Sequence, residues 1–72
     1  MTDRVLQNGT HIARYDAVEK PDHAFEAQVF VRLAREPEIA ETYIPVGLYP
    51  TEEEALASAR ERAARALKEH EF

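Results

Sequence analysis

The stretch Phe25-Glu26-Ala27-Gln28-Val29-Phe30-Val31-Arg32-Leu33 decides how this chain folds. Phe25, Ala27, Val29, Val31 and Leu33 occupy the odd positions, and Glu26, Gln28, Phe30 and Arg32 the even ones. Successive side chains of an extended backbone point to opposite faces, so a repeat of two marks a half-buried antiparallel strand. The odd side, apolar throughout, must rest on a core. The same assignment turns Phe30 outward, beside Gln28 and Arg32.

Toward the N-terminus, Pro21-Asp22-His23-Ala24 forms a turn, because proline fixes φ and aspartate can bond its own backbone. Before it, residues 11–20 read as a strand with Ile12 and Val18 on one face and Ala13, Tyr15 and Ala17 on the other; the residues leave open which face is inward. Residues 1–9 show no clear period, and Asn8-Gly9 is a turn dipeptide, so they are expected to be a poorly ordered or hairpin-like lead-in. Toward the C-terminus the central strand is expected to run to about residue 34. Arg35-Glu36-Pro37-Glu38 then makes a polar break, and a further strand is expected over 42–49, with Ile44, Val46 and Leu48 on one side. Pro45 has no amide proton to give a ladder, which places this strand at an edge.

Pro50 halts the strand, Thr51 is positioned to cap a helix, and Glu54 follows three residues later as in a capping box. Glu52 and Glu53 add negative charge where the helix dipole favours it. A helix over about 52–70 follows, with Ala55, Leu56, Ala59, Ala63, Ala66, Leu67 and His70 in one stripe and Glu54, Glu61, Arg65 and Lys68 opposite. The expected fold class is α+β, a two-layer β-β-β-α domain. A three-stranded antiparallel meander packs on one C-terminal helix, and one sheet face stays open.

Seventy-two residues suit one domain. A chain of this length hides only about 60% of its unfolded surface, and there is no cysteine to cross-link it. Twelve of its apolar residues are alanine, so the core is lean and self-association would support it. No apolar run has the length of a signal peptide or a membrane span, from which a cytoplasmic location is expected. A net charge of −5 opposes general attachment to nucleic acid or anionic lipid.

Catalytic constellations are weak. His11, His23 and His70 lack the spacing of helical or finger-type metal sites, so no metal and no cofactor are expected. Ser58, the sole serine, has no base beside it in sequence and reads as a solvated residue of the exposed helix face. Glu52-Glu53-Glu54 fits capping and solubility, and neither glycine sits in a phosphate loop. The feature with most content is the open sheet face, where Phe30, flanked by Gln28 and Arg32, is expected to be joined by Tyr43 and Tyr49. Exposed aromatics rimmed by arginine suit a protein partner, a second copy of the chain, or stacked single-stranded nucleic acid.

The segment from Tyr43 to Leu67, centred on Leu48-Tyr49-Pro50-Thr51-Glu52-Glu53-Glu54-Ala55-Leu56, resembles small uncharacterised bacterial proteins of three strands and a helix, which carry no agreed activity. The same punctuation is similar to plant ethylene-response-factor domains and the arm-binding domains of phage integrases. That resemblance implies DNA binding through the open sheet face, with Arg14, Phe30 and Arg32 toward the groove. Residues 1–51 depart from it in carrying Arg4, Arg14, Lys20, Arg32 and Arg35 against the more numerous Asp3, Asp16, Glu19, Asp22, Glu26, Glu36, Glu38 and Glu41. Thr51 to Leu67 also resembles the strand-to-helix passage of HicB-type antitoxins, without their Pro-Gly-Cys and Gly-Asp-Thr signature. The residues alone name no biochemical activity. They point first to a non-enzymatic interaction or accessory domain using the face of Phe30, and second to a sheet-reading nucleic-acid binder.

Overall fold

A computed structural model describes residues 4–35 and 41–69. Among these the element order is β1 (Val5–Asn8), β2 (His11–Glu19), β3 (Phe25–Leu33), β4 (Thr42–Tyr49) and α1 (Glu52–Glu69). The strands form one antiparallel sheet in the order β1-β2-β3-β4, a meander with α1 across one face. The α+β class, the strand-to-helix order and the edge position of the Pro45 strand match expectation. The sheet has four strands rather than three.

The extra strand is β1, in the lead-in expected to be poorly ordered or hairpin-like, and it forms the hairpin with β2. Gly9 takes a φ of +64°, the conformation demanded at the first loop position of a type II′ hairpin. The turn pairs Asn8 with His11 and Val5 with Arg14. Of the four residues in β1 only Leu6 packs on the core, so the strand is too short to carry a visible period.

The β2–β3 connection closes more tightly. The amide of His23 donates to the Lys20 carbonyl at 2.9 Å, and the amide of Lys20 donates to the Ala24 carbonyl at 2.8 Å. Asp22 Oδ1 accepts the Ala24 amide at 3.3 Å. His23 takes a φ of +67°, the left-handed position that ends a three-residue hairpin loop. This loop sets the register from Glu19 opposite Phe25 to His11 opposite Leu33.

As expected, Ala27, Val29 and Val31 are buried. The register resolves the open question of β2: Ala13 and Tyr15 lie inward, with Ala17 packed beside them, and Val18 is exposed on the far side with Ile12. Against them α1 presents Ala55, Ala59, Ala63, Ala66 and Leu67, all buried, with Leu56 partly so. His70 and Glu36-Pro37-Glu38, assigned above to the helix stripe and the polar break, lie outside the described residues. The N-cap is as read: Thr51 Oγ1 accepts the Glu54 amide at 3.2 Å, and the Thr51 carbonyl accepts the Ala55 amide at 3.1 Å. At the other end Asn8 Nδ2 donates to the Leu67 carbonyl at 3.5 Å, tying β1 to the helix.

β4 departs from simple alternation. Gln28 pairs with Pro45 but Ala27 pairs with Gly47, so β4 holds one extra residue, Val46, at this point. The bulge reverses the facing of everything after it. Leu48, expected on the side of Ile44 and Val46, lies opposite Glu26 with 59% of its surface exposed, while Tyr49 turns to the helix side and packs on the core. Gly47 allows this with a φ of +149°, and a Cβ there would stand 3.7 Å from the Tyr49 ring. No helix among the described residues is long and apolar enough to cross a membrane.

Candidate functional site: the uncovered sheet face

β3 and β2 together build the face opposite the helix. Their register makes rows across the sheet: Ile12 with Arg32, Arg14 with Phe30, Asp16 with Gln28, and Val18 with Glu26. β4 adds Tyr43 to the Phe30 row, Pro45 to the Gln28 row and, beyond the bulge, Leu48 to the Glu26 row. β1 adds Val5 beside Arg14.

The Phe30 row is the most structured part of the face. The Arg14 guanidinium carbon lies 4.3 Å from the centroid of the Phe30 ring, and the Phe30 and Tyr43 rings have centroids 5.2 Å apart at an interplanar angle of 38°. A cation over an aromatic face at an exposed site contributes about 0.5–1 kcal/mol, and a ring pair a similar amount. Arg14 is also held by Glu41, its Nη2 donating to Oε1 at 2.9 Å. Two contacts therefore hold the guanidinium while 43% of Tyr43 stays exposed. A rigid aromatic and arginine cluster of this kind is what binding hot spots are made from.

The five side chains expected on this surface divide. Phe30 and Tyr43 meet. Gln28 lies one row away, donating from Nε2 to Glu26 Oε1 at 2.6 Å, and Arg32 lies one row the other way, donating from Nη1 to the Leu33 carbonyl at 3.2 Å. Tyr49 is corrected: the bulge places it on the helix side, where Val46, Tyr49, Ser58, Glu61, Arg62 and Arg65 line a shallow cleft of about 240 Å³. Ser58 is half-buried at that cleft rather than fully exposed. Arg14, set toward this face above only by resemblance, joins them in the Phe30 row. Its signal lay in the β2–β3 turn, because a loop of fixed length makes the residue opposite Phe30 a matter of counting.

The charges of the face are sorted along the strands. Arg14 and Arg32 occupy the rows at one end; Asp16 and Glu26 occupy the rows at the other. Arg4 reaches Asp16 Oδ1 from the rim at 2.7 Å, and Lys20 reaches Glu26 Oε1 at 3.8 Å. All are partly exposed pairs, each worth about 0–1 kcal/mol. Among the described residues no group of three His, Cys, Asp or Glu could hold a metal ion, and no buried polar side-chain atom lacks a hydrogen-bond partner.

Compared with models of protein families, with curated proteins and with solved structures, the chain matches none.

Proposed function

We propose that this domain is a non-enzymatic interaction module of the cytoplasm that engages a protein surface through its uncovered sheet face, with Phe30 at the centre. One observation carries the reading: Arg14, Phe30 and Tyr43 stack on a face that the helix does not cover, and apolar Val5, Ile12, Val18 and Leu48 surround them. Apolar area collected on one face and centred on a braced aromatic is the composition of an interface core.

The test is the double substitution Phe30→Ser with Tyr43→Ser. Both side chains lie off the core cluster, so circular dichroism and cooperative melting should persist. Sedimentation should shift to a smaller species, or recovery of a defined protein partner should be lost. Unchanged sedimentation together with unchanged recovery overturns the reading. The second reading, nucleic-acid binding, draws on the same rings together with Arg14 and Arg32, against the acidic rows of Asp16 and Glu26. Oligonucleotide binding that weakens steeply with salt and is lost on Arg32→Ala would put it first.

A further inference from the structure

We infer that the occupant of the uncovered face is a second copy of this chain, stacked face to face with its strands antiparallel about a two-fold axis at the Val29 row. This rests on the reading of the face as an interaction surface and specifies its partner.

The rows of the face differ in the sign of their charge. Counted along β3, the rows of Arg32 and Phe30 lie on one side of Val29, and those of Gln28 and Glu26 lie at equal distances on the other. A two-fold axis in the interface plane, perpendicular to the strands at Val29, exchanges these rows between copies and keeps β2 over β2 and β3 over β3. Arg32 then meets Glu26 of the second copy, and Arg14 meets Asp16 of the second copy. Because the operation is isologous, each pair forms twice. The uncharged positions match as well: Phe30 falls on Gln28, Ile12 on Val18 and Tyr43 on Pro45. Every charged row in β2 and β3 finds the opposite sign. A two-fold axis along the strands between β2 and β3 would instead bring each row onto itself, setting Arg32 on Ile12 and Glu26 on Val18, so that no opposite charges would meet.

The face offers more to a second copy than the edges do. β1 is four residues long, and β4 carries Pro45 and a bulge, so both sheet edges are poor templates for strand addition. β2 and β3 are nine residues long. At about 3.3 Å per residue and about 4.8 Å between strands, the thirty strand residues cover roughly 480 Å² per copy, and the roughly 950 Å² of two copies is the size of a weak, salt-sensitive dimer. Stacked sheets lie about 10 Å apart and cross at about 30°, a rotation that keeps basic rows over acidic ones. Arg14 already pairs with Glu41, Asp16 with Arg4, and Glu26 with Lys20 and Gln28, in partly exposed contacts that a second copy would share.

The experiment is sedimentation equilibrium of the full chain, with circular dichroism confirming the fold of each variant. The wild type should form dimers that weaken as salt rises. Arg32→Glu alone and Glu26→Arg alone should each weaken self-association by about tenfold or more, since each places like charges together twice. Mixing the two variants should restore dimers as heterodimers, and the double variant Glu26→Arg with Arg32→Glu should restore the homodimer. Single variants that associate like the wild type, or a mixture that fails to associate, overturn the antiparallel arrangement. A wild type that stays monomeric while Phe30→Ser with Tyr43→Ser abolishes recovery of a defined different protein overturns the second copy and leaves the face as a docking surface. If that double variant changes nothing, both fall together.

Discussion

The two faces of one sheet are built from adjacent residues of the same strands and obey different rules. On the helix side Ala13, Ala27, Ala55, Ala59 and Ala63 are fully buried, and the largest side chains wholly out of solvent are Val29 and Val31. On the other side stand Phe30, Tyr43, Arg14 and Leu48, all larger and all in part exposed. A domain that needed only stability would put its bulk inside, because each buried methylene contributes about 0.8 kcal/mol. Here much of the bulk lies outside. At the centre of the covered face small side chains let a single helix lie close to the sheet, with Tyr15, Phe25, Tyr49 and Leu67 packed around them, while Phe30, Tyr43 and Leu48 set further large side chains on the uncovered surface.

The contrast is most easily broken by placing one substitution on each face in turn. Val29→Asp puts a carboxylate into a fully buried site with no partner and should unfold the domain, at a cost of several kcal/mol. Val5→Asp, on the open face opposite Arg14 and 45% exposed, should leave the melting curve within about 0.5 kcal/mol of the wild type. Thermal melts of the pair read both results. A folded Val29→Asp protein would mean the faces are inverted.

Smaller effects sharpen the picture. Val29→Ala removes two methyl groups from the centre of the covered face and should destabilise by about 2 kcal/mol in denaturant titration. Gly47→Ala forces a side chain onto a φ of +149°, with ordinary contact to the Tyr49 ring; the backbone strain should cost about 1–2 kcal/mol and disturb the bulge that turns Leu48 outward. Thr51→Ala removes the cap on α1 and should cost about 1 kcal/mol, with the loss seen as fraying in hydrogen exchange at Glu54 and Ala55. The smallest is His23→Gly, which relieves a left-handed residue and should stabilise by about 0.5–1 kcal/mol without touching either face.

What could be read from the residues divides along the same physical line. β3 announced itself because nine residues keep a strict period of two, and α1 because its cap, acidic first turn and alanine stripe agree with one another. β2 left its inward face open because alanines and a tyrosine faced an isoleucine and a valine; only the partner strand decides between sets so similar. β1 was hidden by its length, since four residues cannot display a period. Tyr49 was misplaced because one extra residue at Val46 reverses the facing of all that follows, and a lone glycine is the sole local trace of it. Within the surface, Phe30 and Tyr43 were legible from alternation alone, whereas Arg14, turned toward this face by resemblance only, needed the cross-strand register to stand beside Phe30. Long-range pairing therefore decided which side chains share a surface, and local pattern decided which elements exist.

The most direct measurement is a dilution series of ¹⁵N-resolved spectra of the wild-type chain. Concentration-dependent shifts should gather on Arg14, Asp16, Gln28, Phe30, Arg32 and Tyr43, with the outer positions of α1, such as Arg60 and Ala64, silent. Shifts that instead map to the helix or to the cleft of Tyr49 and Ser58, or spectra unchanged across the series, would contradict self-association through the uncovered face.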